Sequence, residues 1–111
     1  MKVDNKKIVD DLLSDHFHKK EGVVKINIGN NYIHELAKFL TCWELAFDGK
    51  RFYTEAIFKN GKRCDIISID DLKVIEILYS EKLENPKDYP LQIIKLKADK
   101  VIQYWIPKVR K

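Results

Sequence analysis

The sequence predicts a mixed α/β domain built around an antiparallel meander. Two observations carry that prediction. FYTEAIFK (52–59) and KRCDIISI (62–69) are strand-like runs joined by Asn60-Gly61, a strong hairpin signal, and KVIEILY (73–79) follows after Asp70-Asp71. These runs are bracketed by segments whose apolar residues recur every three to four positions, as amphipathic helices require.

Taken in order, residues 4–19 carry Ile8, Val9, Leu12, Leu13 and Phe17 at helical spacing and predict a first helix. VVKINIG (23–29) alternates and ends on glycine, which predicts a short strand. Asn30 and Asn31 offer an N-cap for a helix from Tyr32 to Phe47, and Asp48-Gly49 stops it. The three meander strands come next. Residues 80–88 are polar enough for one or two helical turns before Pro90, LQIIKLK (91–97) reads as a fourth strand, and ADKVIQYW (98–105) as a last short helix with Pro107 beyond it.

Composition bounds the rest. With 111 residues and 45% hydrophobic content, one core in one domain is the expectation. The sequence divides into the first helix (4–19), a core of about residues 31–97 and a basic segment at 98–111. No run reaches the roughly 18 apolar residues that span a bilayer, and MKVDNKKIVDDLL has acids where a signal peptide needs an apolar stretch. Cys42 and Cys64 lack metal-type spacing and read as reduced, buried thiols, so a cytoplasmic protein without a membrane partner is expected. Walker, GxGxxG, zinc and nucleophile-elbow patterns are absent from the sequence.

The net charge is +4, but residues 91–111 hold six basic side chains against one acid and leave the first ninety near neutral. Lys108, Arg110 and Lys111 are therefore candidates for holding a polyanion, the alternative being a solubilising C-terminus. His16 and His18, two apart on a helix, point to different sides and make a poor chelate. Trp43 and Trp105 read as core, and Tyr104 as core before a base-stacking role.

Two acids stand out, because Asp65 and Glu76 sit inside apolar strands. A two-residue Asn60-Gly61 loop pairs Lys59 with Lys62 and sets Asp65 opposite Ala56, with Glu55 on the other sheet face. A two-residue Asp70-Asp71 turn sets Asp65 directly opposite Glu76, and a four-residue loop keeps both on one face. Like charges so placed destabilise a sheet unless a divalent cation lies between them or the face is solvated. Glu35 leads the helical ridge Glu35, Phe39, Cys42, Ala46, otherwise apolar, while His34, Lys38, Thr41 and Asp48 form the expected polar face. A first-turn glutamate also answers the helix dipole, so Glu35 has two explanations.

Glu35 in NNYIHELAKFL, Asp65 in GKRCDII and Glu76 in KVIEIL, on elements ordered α-β-β-β-α-β, resemble the PD-(D/E)XK nuclease superfamily across about residues 31–97. The resemblance implies a restriction-endonuclease-like fold with a central mixed sheet and flanking helices. It implies hydrolysis of phosphodiester bonds in nucleic acid, DNA rather than RNA, with Asp65 and Glu76 holding Mg²⁺ or Mn²⁺ and Glu35 assisting. Pairing as a homodimer is also within the family's habits. One departure matters: the position of the motif lysine is Leu78. A lysine supplied after the third strand could replace it, and Lys82 is the nearest, ahead of Lys87. A nuclease fold kept only as a nucleic-acid-binding or protein-binding module is the alternative.

Overall fold

The computed structural model describes residues 3–79 and 89–109. Its elements are helix α1 (Asn5–Leu12), helix α2 (Tyr32–Phe47), strands β1 (Phe52–Ile57), β2 (Arg63–Ser68), β3 (Lys73–Leu78) and β4 (Gln92–Lys97), and helix α3 (Ala98–Val109). The strands form one mixed sheet in the order β1-β2-β3-β4, antiparallel from β1 to β3 and parallel between β3 and β4. The turns expected at 80–88 lie outside the described residues. No helix among the described residues is long and apolar enough to cross a membrane.

The sheet lies between two helical layers. Val9 and Leu13 pack with Tyr53, Ile67, Ile69 and Val74 on one face. On the other, α2 and α3 pack Ala37, Cys42, Leu45 and Ala98 on Phe52, Ile66, Ile75 and Ile77. Alternation along β3, with Val74 on one face and Ile75 and Ile77 on the other, produces this division, as a sheet covered on both faces requires. Cys42 and Cys64 are free, buried thiols.

α2 has the bounds its sequence signals set. The Asn31 side chain accepts from Ile33 N–H at 2.8 Å, and Gly49, at φ +74°, takes the left-handed conformation that ends the helix. α1 is shorter than expected. Asp4 caps it, but after Leu12 the chain turns to pair with the end of the first hairpin: Ser14 N–H donates to Ile57 O at 2.8 Å and Lys59 N–H to Leu12 O at 3.1 Å. Leu13 and Phe17 still reach the core, so burial is satisfied without helical continuation.

The expected strand at 23–29 is absent. The segment runs beside β1 but bonds to a side chain, with Lys25 N–H donating to Thr54 Oγ1 at 2.8 Å and Thr54 Oγ1 donating to Val23 O at 2.7 Å. At the other terminus α3 extends past its expected end and includes Pro107.

The two hairpin registers fare differently. Ile66 pairs with Ile75 and Ile67 with Val74, which continues to Asp65 opposite Glu76 as the two-residue turn predicts. The first hairpin is shifted by one residue: Ala56 pairs with Cys64 and Thr54 with Ile66, so Asp65 falls across from Glu55. The cause is a three-residue loop. Phe58 N–H donates to Lys62 O, Gly61 N–H donates to Phe58 O, both at 2.9 Å, and Gly61 holds φ +85°.

Candidate functional site

Glu55 is left-handed in mid-strand, at φ +50°. A residue with a Cβ pays roughly 1–2 kcal/mol for that conformation. It shifts the in-and-out alternation by one: Tyr53 and Ala56, three apart, share a face, as do Cys64 and Ile67 in the neighbouring strand. Glu55 and Asp65 are thereby released toward α2. Asp65 can then meet α2 on one side and Glu76 on the other.

The side of α2 that meets them differs from the expected one. Lys38 is fully buried and Thr41 is buried, whereas Phe39, Ala46 and Trp43 are exposed. The helix is rotated so that its expected polar face lies against the sheet. Glu35 stays inside, but at the border of the buried face. Lys38 Nζ lies 2.6 Å from Glu35 Oε1 and 3.6 Å from Glu55 Oε2. His34 Nδ1 lies 2.6 Å from Glu35 Oε2, and its Nε2 3.3 Å from Asp65 Oδ2. Opposite charges from three elements thus converge, and their pairing explains the rotation.

Between β2 and β3 the carboxylates take over the ladder. Beyond Ile66–Ile75, Asp65 N–H donates to Glu76 Oε2 at 3.0 Å and Ile77 N–H donates to Asp65 Oδ2 at 2.8 Å. Tyr89 OH lies 2.5 Å from Glu76 Oε1. The strands part here, and each acid meets a backbone donor that the parted partner no longer serves.

These contacts separate the acids electrostatically. Burial, followed by the charge of Asp65, holds the Glu76 carboxyl above its ordinary range. Burial also pushes Asp65 upward, but bonds from His34, Glu76 and Ile77 N–H outweigh it and leave Asp65 below its ordinary value. Of the two, Glu76 is therefore the carboxyl that takes up a proton first as pH falls. Glu35 is held low against burial by Asn27 N–H, Lys38, His34 and Asn30. His34 is raised to about 9, first by its bond to Asp65 and then, against desolvation, by Glu35, so it is an imidazolium at neutral pH.

The cluster borders a cleft of about 510 Å³ with Glu55 in its wall. His16, His18, Lys25 and Arg63 line it, together with Ile26 and Ile28. His16 and His18 reach one cleft because their segment is not helical. Asn27 ties this loop to the acids, its N–H donating to Glu35 Oε1 at 2.7 Å and its amide to Glu55 Oε1 at 3.1 Å.

The structure therefore brings Glu35, Asp65 and Glu76 into one connected network. Lys82, Arg110 and Lys111, and the side chain of Lys108, lie outside the described residues. Sequence reasoning passed over His34, Lys38 and Glu55. A signal existed for the first two, since both sit one turn or less from Glu35 in a helix with few other charges. Leu78 pairs with Lys97 and Glu76 with Lys95 across the parallel β3–β4 register, so a lysine of β4 lies beside each of these two positions.

The donor set suits a hard divalent cation in part. Mg²⁺ commonly takes one or two carboxylates and completes its shell with water and phosphate. Asp65 and Glu76 offer such a pair, with the mutual repulsion that a cation relieves. Among the described residues no group of three or more His, Cys, Asp or Glu side chains could hold a metal ion. His34, as an imidazolium, already supplies a positive charge beside Asp65. Comparison with known proteins gives no match to a protein-family model, to a curated protein or to a solved structure.

Proposed function

We propose that this chain is a restriction-endonuclease-like domain that hydrolyses phosphodiester bonds in nucleic acid, DNA before RNA. One observation carries the reading: six ionisable side chains from four elements (His34, Glu35, Lys38, Glu55, Asp65 and Glu76) are joined in a network beside a basic cleft. Buried charges are costly, and a fold keeps this many together with a left-handed Glu55 where chemistry repays them. The parallel placement of β4 beside β3, after an antiparallel meander, supports the same fold.

Asp65 and Glu76 would hold Mg²⁺ or Mn²⁺. Bound there, the ion supplies Lewis-acid polarisation of a phosphoryl oxygen and a water of lowered pKa. The chain's own groups do the rest. Lys38 holds Glu35 and Glu55 in place and helps keep the Glu35 carboxyl below its ordinary range. His34 holds a proton next to Asp65 and is a proton source for a leaving oxygen. Lys25 and Arg63 line the cleft where a phosphate backbone would lie. Lys95 and Lys97 of β4 join Lys82 as replacements for the charge that Leu78 cannot supply.

A second reading, a non-catalytic nucleic-acid-binding module, is favoured by Leu78 and by the occupation of both Glu35 oxygens by His34, Lys38 and Asn27. The deciding experiment offers single-stranded, duplex and branched DNA to the chain with Mg²⁺, Mn²⁺ or EDTA. The enzyme reading expects cleavage that EDTA and Asp65→Asn abolish. It also expects cleavage to fall as pH rises through about 9, where the His34 imidazolium that would protonate the leaving oxygen is lost. Binding without cleavage would leave the second reading, and neither would refute both.

A further inference from the structure

The outward side of α2 reverses the usual order of an amphipathic helix, which turns apolar groups inward and charges to water. Glu35 and Lys38 face the sheet, while Tyr32, Leu36, Phe39, Trp43 and Phe47 are 77%, 44%, 47%, 55% and 82% exposed. These five step along the helix at intervals of four and three residues, so they form one straight stripe, and the Phe39 and Trp43 rings stack at 6.4 Å. No charge interrupts the stripe: Glu44 lies about 100° round the helix from its centre. Spacing of this kind is the seam by which one helix packs on another.

We infer that α2 is a self-association surface and that a second copy of this chain covers it. The exposed portions of the five side chains amount to about 600 Å², close to the roughly 800 Å² per partner of a standard interface. The stripe also has the self-complementarity that a two-fold pair demands. With two α2 helices antiparallel, Tyr32 meets Phe47, Leu36 meets Trp43, and Phe39 meets its own copy. A helix that lacks exposed lysine or glutamate along its seam has nothing to discourage this contact. The inference stands on the outward face alone and does not depend on the chemistry of the inward one.

Sedimentation equilibrium between about 1 and 100 µM should show the 13.1 kDa chain passing to twice that mass. Trp43→Glu should weaken association by at least about tenfold while far-UV circular dichroism stays unchanged, because the side chain is outside the core. Under mild oxidation Phe39→Cys should cross-link to a dimer and Tyr32→Cys should not, since only residue 39 faces itself. The native Cys42 and Cys64 are each 1% exposed and will not compete. A chain monomeric at about 100 µM, a dimer indifferent to Trp43→Glu, or cross-linking equal at both positions would each overturn the inference.

Discussion

Replacing His34 with glutamine tests the electrostatics of the cluster directly. The His34 side chain is only 12% exposed and lies between Asp65 and Glu35, which raise its pKa to about 9 from an ordinary 6.5. A group raised on folding stabilises fully below its unfolded pKa, and that contribution disappears as pH rises through the folded one. The window is therefore about pH 6.5 to 9. At about 1.4 kcal/mol per pH unit the loss reaches up to about 3 kcal/mol, a large part of the 5–15 kcal/mol that holds a domain. Urea unfolding at intervals from pH 6 to about 9.5 should show the wild-type midpoint falling by about 1–2 M. Glutamine can bond to both carboxylates but carries no charge, so His34→Gln should be less stable near neutral pH and flat across the window. The difference between the two curves isolates His34 from other titrating groups. Parallel curves would show that His34 is not held as an imidazolium, and the account of Asp65 as an ionised partner would fail with it.

Two more substitutions probe the parts around it. Lys38→Met removes the buried ammonium and strands Glu35 and Glu55, so unfolding free energy should fall by about 3–5 kcal/mol, with part recovered on adding Glu35→Gln; a loss under about 1 kcal/mol in urea titration would mean that water already screens the pair. Lys25→Gln with Arg63→Gln should lower the salt slope of DNA binding by about 2 units if the cleft holds the backbone, and neutralising Lys108, Arg110 and Lys111 by up to about 3 if the tail does. Fluorescence anisotropy at several salt concentrations separates the two, and the region whose neutralisation leaves the slope unchanged is not the binding path.

What was legible in the sequence was local. Asn31 and Gly49 bracket α2 because capping and left-handed termination need only neighbouring residues. The opposition of Asp65 and Glu76 was legible too, since a short connection leaves β2 and β3 few registers. The first hairpin was misread by one residue because Asn60-Gly61 serves a three-residue loop as readily as a two-residue one, and that single step decides whether Glu55 belongs to the cluster.

The rotation of α2 was decided only in three dimensions. Its sequence carries two stripes: Tyr32, Leu36, Phe39, Trp43 and Phe47 on one side, and Ala37, Lys38, Thr41, Cys42 and Leu45 on the other. Periodicity announces that stripes exist, and hydrophobicity alone would bury the aromatic one. The acids that overrule it, Glu55 and Asp65, come from strands 17 or more residues further along the chain, and only folding sets them against Lys38 and His34. A buried carboxylate without a partner costs more than an exposed aromatic ring, so the helix turns its charges inward and leaves its aromatic face to water or to a second copy.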